Sequence, residues 1–221
     1  RLWTSCRAGR TGHSAWRCRA EAGSFGLQSV SAKRTLLCAP LAVGPGPDEK
    51  KRYVYVADIG DNNGRHHLKY IYRFEEPKAD REVEETTITE FDTIAFRLPD
   101  EKKDTEAIMV HPETQNIYLV SKREKPVDVY ELQYPFSDEV LTADNIGTVP
   151  LTQIVGADIS SDGKEIIMKD YDNVYYWQIS GRPVADALND KPLVLHYTEE
   201  PQGEAIAFKR DGSGFYTLSE T

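Results

Sequence analysis

Two glutamates, Glu106 and Glu204, open the same local pattern: Glu106-Ala107-Ile108-Met109-Val110 and Glu204-Ala205-Ile206-Ala207-Phe208. Each precedes a short apolar run of the kind that forms a buried strand. If equivalent strands start at one point, their carboxylates face each other there. Like charges held that close are stable only if one takes a proton or a cation neutralises the pair. Glu106 and Glu204 are therefore candidate metal ligands, and Glu106 is also a candidate catalytic carboxylate. The plainer reading, in which each glutamate hydrogen-bonds the backbone of a neighbouring strand, stays open beside it.

A second group lies in Asp58-Ile59-Gly60-Asp61-Asn62-Asn63-Gly64. Calcium takes roughly six to eight oxygen ligands from carboxylates, amides and carbonyls, and a loop of this composition supplies them. Asp58, Asp61 and Asn62 join the expected metal set on that ground. The spacing departs from the EF-hand pattern D-x-[DN]-x-[DN]-G, and an Asx-type turn between two strands explains the same residues. His66 and His67 follow directly, and His67 is a candidate general base if the loop rims a site; an exposed histidine is the alternative. Asp170-Tyr171-Asp172-Asn173 could take a cation or simply turn the chain. His111 and His196 read as structural. The chain has no G-x-S-x-G elbow, no H-E-x-x-H and no P-loop, which argues against the corresponding chemistries.

The elements that must position these residues repeat. Asp104 to Lys122 reads as an apolar run, a polar turn and a second apolar run. The pattern returns 49 residues later from Gly156 to Met168, and 49 later again from Glu204 to Leu218. Val110, Ile159 and Phe208 fall in register, as do Ile117, Ile166 and Phe215. Glu106, Val155 and Glu204 share one position; Asp58, Lys122, Tyr171 and Glu220 share another. A degenerate first copy runs from Leu41 into Tyr53–Asp58, which puts Ala39 at the glutamate position. Repeats of this length with short strands and turn signals are the signature of propeller blades. The expected fold is all-β, a propeller of four-stranded antiparallel blades. About 15 strands suggest four to five blades, the last of them incomplete. Ser161-Asp162-Gly163 and Asp211-Gly212-Ser213-Gly214 read as hairpin turns, Thr93–Leu98 as an exposed outer strand, and Val184–Leu188 as one helical turn.

The composition sets outer bounds. Of 221 residues 29% are charged, with a net charge of −9, which argues against nucleic acid as a partner. No apolar run reaches the roughly 20 residues of a membrane span. Residues 1–40 differ from the rest: they carry about +6 and all three cysteines, while residues 41–221 carry about −15. An odd cysteine count, with none in the repeats, argues against a disulfide framework. No secretory signal is visible, and the compartment stays open. Residues 1–40 are expected to be an atypical basic segment and 41–221 the propeller domain.

With EAIMVHPETQNIYLVSK (106–122), GADISSDGKEIIM (156–168) and QGEAIAFKRDGSGFY (202–216), the chain resembles bacterial β-propeller proteins of the TolB/WD40-like type. AVGPGPDEKKRYVYVADIGDNNGR (42–65) resembles the opening blade of a largely uncharacterised bacterial group of them. More distantly, the repeat is similar to the gluconolactonase/paraoxonase superfamily, propellers that open lactones with calcium held at the channel mouth by Glu, Asn and Asp. That resemblance implies Glu204 as a calcium ligand and Glu106 as a second carboxylate; Val155 stands where an Asn ligand would be expected. The resulting expectation is a calcium-dependent hydrolase of lactones or small esters. The alternative is a non-catalytic propeller that binds a protein or glycan.

Overall fold

The computed structural model describes residues 5–8, 16–19, 39–77, 85–100, 102–198, 200–201 and 203–219. The strands in chain order are β1 (Ser5–Ala8), β2 (Trp16–Arg19), β3 (Leu41–Gly44), β4 (Tyr53–Asp58), β5 (Lys69–Glu75), β6 (Glu85–Ile88), β7 (Asp92–Arg97), β8 (Thr105–Val110), β9 (Ile117–Ser121), β10 (Val127–Leu132), β11 (Leu141–Thr142) and β12 (Asp144–Val149). Then come β13 (Gly156–Ile159), β14 (Glu165–Lys169), β15 (Val174–Gln178), a short helix α1 (Val184–Leu188), β16 (Leu193–Leu195), β17 (Gly203–Phe208) and β18 (Phe215–Ser219).

These strands form antiparallel blades. The first runs β3-β4-β5-β7, with β11 added in parallel on the outer edge; the second runs β8-β9-β10-β12; the third runs β13-β14-β15-β16; β17 and β18 form a fourth unit. The innermost strands β3, β8, β13 and β17 pack against one another in that order. This radial series of sheets is a β-propeller architecture. Beside it, β1, β2 and β6 make a separate three-stranded sheet. The basic segment 1–40 otherwise lies almost wholly outside the described residues.

Blade stacking explains why the inner strands read as unbroken apolar runs. Every residue of β9 is buried, because alternate side chains serve different neighbours. Ala107, Met109, Tyr118 and Val120 pack toward the third blade, with Ala157, Ile159, Ile166, Met168 and Trp177. Ile108, Val110, Ile117 and Leu119 pack toward the first, with Tyr55, Ala57, Ile71 and Phe96. The expected outer strand Thr93–Leu98 forms as β7 (Asp92–Arg97), but Ile94 and Phe96 on its inner face are buried and β11 covers its free edge.

The repeat register survives with one correction. The pairs Val110↔Ile117, Ile159↔Ile166 and Phe208↔Phe215 are equivalent. In the first blade the counterpart pair is Gly44↔Tyr53, so the glutamate position falls on Pro40 rather than Ala39. Gly156 marks a close approach between blades. A Cβ there would lie 3.2 Å from the carbonyl oxygen of Glu204 and 3.3 Å from the amide nitrogen of Ile206. Both expected hairpin turns form, with Gly163 and Gly212 in the left-handed region at φ +69° and +71°. In the first turn Ser160 Oγ accepts the amides of Lys164 and Glu165 at 3.1 and 3.0 Å.

Candidate functional site

In an up-and-down blade the innermost strand begins at the end where the second strand finishes. Strands β8, β13 and β17 therefore start on the same face that carries the β4–β5, β9–β10 and β14–β15 connections. That face gathers Glu106 and Glu204 with Lys122, Tyr171 and the loop 59–68.

At its centre Lys122 lies between the two glutamates. Its Nζ is 3.7 Å from Glu106 Oε1 and 3.9 Å from Glu204 Oε1. Tyr171, which follows β14 as Lys122 follows β9, donates its hydroxyl to Glu204 Oε1 at 2.6 Å. The Lys122 ammonium also stands 5.6 Å from the centre of the Tyr171 ring. The carboxylates keep a window to solvent, with Glu106 and Glu204 side chains 17% and 22% exposed and Lys122 at 9%. Burial raises the Glu106 carboxyl above its ordinary range; Lys122 opposes this, while Asp104 and Glu204 add to it. For Lys122 burial disfavours the charge, but Tyr171, Glu106 and Glu204 outweigh it and its pKa is raised. Of the two ways to relieve the facing glutamates, a proton on one or a cation between them, the arrangement provides a cation. The chain's own lysine meets that need.

The loop 59–68 is organised in the same way. Asp61 is buried, and its two oxygens accept the amides of Arg65 and His66, each at 2.8 Å. Its own amide donates to Asp104 Oδ1 at 2.7 Å. Asp104 Oδ2 accepts Arg123 Nε at 2.9 Å, and the same guanidinium bonds Asn62 Oδ1. Buried Lys69 donates its Nζ to the carbonyl of Ile59. Desolvation lowers the Lys69 pKa against the pull of Asp61, Asp104, Asp58 and Glu106. Thr105 Oγ1 binds the same Ile59 carbonyl at 2.8 Å, tying the second blade to the first.

The expected calcium ligands thus divide among three side-chain cations: Glu106 and Glu204 beside Lys122, Asp58 and Asp61 beside Lys69, and Asn62 on Arg123. Among the described residues no three His, Cys, Asp or Glu side chains form a group that could hold a metal. Calcium bound by both glutamates would have to displace the Lys122 ammonium, so the donor set does not fit the ion in this arrangement. His67 sits apart from the glutamates, on the wall of a cavity with His66 and Arg97.

Two titratable residues of the third blade, buried Lys169 and half-buried Asp158, were not singled out in the sequence. Lys169 is fully buried and donates to the carbonyls of Gly203 at 2.6 Å and Asp170 at 2.8 Å. Asp158 accepts the amides of Phe208 at 2.8 Å and Ile159 at 2.9 Å. A signal was present: Asp158 lies between Ala157 and Ile159 in β13, and Lys169 follows Ile166-Ile167-Met168 at the end of β14.

No family profile and no curated protein matches the sequence. Among solved structures, similarity extends to a protein from Bacteroides uniformis described as a putative 6-phosphogluconolactonase. It has 12% identity and a TM-score of 0.47, over 97% of this chain and 60% of that one. The Dos1 propeller is similar at 13% identity and a TM-score of 0.44, over 92% of this chain and 59% of that one. The chain spans about 60% of the length of these structures.

Proposed function

We propose that the face carrying Glu106, Lys122, Tyr171 and Glu204 is the functional face, and that this cluster hydrolyses a lactone or small ester. The observation that carries the reading is the Lys122 ammonium between two partly exposed carboxylates, one of which, Glu106, is shifted toward neutrality. A base with a raised pKa is better matched to proton transfer near neutral pH than an ordinary carboxylate. Glu106 takes a proton from water as the water oxygen bonds to the carbonyl carbon. Lys122 donates to the oxyanion that forms. The C–O bond to the leaving alkoxide then breaks, and the alkoxide takes the proton back from Glu106. Tyr171 holds Glu204, which keeps the second carboxylate against Lys122.

The test is hydrolysis of a panel of lactones and nitrophenyl esters, with and without a chelator. Glu106→Gln is expected to lower kcat/KM by about 10²–10⁴-fold, and the chelator is expected to have no effect. Loss on chelation with recovery on added calcium supports the calcium-dependent version instead. Activity indifferent to Glu106→Gln sinks both. A binding propeller without catalysis is the second reading, favoured by Lys122 already satisfying both carboxylates. Under it no substrate of the panel turns over.

A further inference from the structure

On the same face a cavity of about 330 Å³ lies between the loop 59–68, the end of β7 and the linker into β8. That volume is within the range of small-ligand sites. We propose that this cavity binds a small anionic group, a phosphate or carboxylate, carried on a partly apolar molecule. The proposal is independent of any reaction at Glu106.

The wall chemistry carries it. His66, His67, Lys69, Arg97 and Lys102 all line the cavity, against one described carboxylate, Asp100. Asp100 is already engaged, by Lys103 Nζ at 3.0 Å and the Tyr130 hydroxyl at 3.1 Å. Lys69 turns its ammonium to Ile59 and the acidic residues behind it. The donors for a ligand are therefore Arg97, Lys102 and His67. Arg97 Nε donates to the neutral Thr142 Oγ1 at 3.3 Å, which orients the guanidinium without neutralising it. Among the described residues neither Arg97 nor Lys102 has a carboxylate partner. A planar guanidinium suits two-point binding of carboxylate or phosphate.

The setting sharpens the inference. The chain as a whole is acidic, at −9, so a concave basic wall is a local reversal of sign that draws anions inward. Leu98 and the exposed Leu68 supply an apolar side. A ligand with an anionic head and a hydrocarbon body satisfies both parts of the wall.

Isothermal titration at low ionic strength and neutral pH tests this, with inorganic phosphate, phenyl phosphate and benzoate as probes. Saturable one-to-one binding is expected, tighter for phenyl phosphate than for phosphate. Comparison of phenyl phosphate with benzoate identifies which head group the wall takes. Arg97→Gln with Lys102→Gln is expected to weaken binding at least about tenfold, with the circular-dichroism spectrum and Tm unchanged. Glu106→Gln is expected to bind as the parent does, which separates this site from the hydrolytic reading. Saturation by none of the three probes overturns the proposal. So does a folded double variant that binds as tightly as the parent, or an equal loss in Arg123→Gln.

Discussion

Asp158 and Lys169 hold opposite ends of one strand. Asp158 accepts the Phe208 amide at one end of β17, and Lys169 donates to the Gly203 carbonyl at the other. In the second blade the equivalent positions are Met109 and Val120, both buried and apolar. The third blade has therefore replaced two apolar side chains by a carboxyl and an amine, each bonded to backbone. Buried charges are tolerated where hydrogen bonds replace lost hydration, and the end groups of β17 supply those bonds.

The Asp158 carboxyl is pushed up to about 7, by burial first, against the two amides that favour its ionised form. The folded chain then holds a proton that the unfolded chain, with an ordinary value of 3.8, has released. Stability contributed by this group is present below the unfolded value and lost as pH rises toward the folded one. Between about pH 4 and pH 7 the parent should lose denaturant resistance relative to Asp158→Asn, and above that window the difference should level off. Urea denaturation of both proteins across pH 4–8 checks this. Parallel curves would show that folding does not raise the Asp158 pKa.

Lys169→Met keeps an unbranched apolar stem while removing the ammonium from the carbonyls of Gly203 and Asp170. Leaving buried acceptors unpaired typically costs about 1–3 kcal/mol. Because Gly203 lies at the start of β17, the loss should fall on the β14–β17 contact first. Hydrogen exchange is expected to show faster opening of β17 and β18 than of β8 and β9. Uniform destabilisation, or none, contradicts a local role.

Lys122→Met leaves Glu106 and Glu204 facing each other with no cation between them. The expected cost is about 1–3 kcal/mol, and Glu106→Gln in the same protein should restore part of it, since the repulsion is then gone. A double-mutant cycle by chemical denaturation reads the coupling, expected at about 0.5–3 kcal/mol. Additive losses would mean that the three groups do not share a charge balance.

The sequence by itself determined the all-β repeat, its register from the second blade onward and both glycine turns. Side-chain alternation and turn chemistry are local, and they recur at a fixed spacing. It also put Glu106 with Glu204 and Lys122 with Tyr171 at equivalent positions, because equivalent residues start or end equivalent strands. Only the tertiary structure decided that Lys122 serves both glutamates, since register fixes a place along a strand but not which neighbour a long side chain reaches across blades. The same holds for Asp61 and Asn62: their oxygens turn to Arg65, His66 and Arg123, contacts made by loop folding rather than by composition. Asp158 and Lys169 were visible as charges in apolar strands. Their meaning came from β17, whose backbone ends meet them only once the third and fourth units pack together.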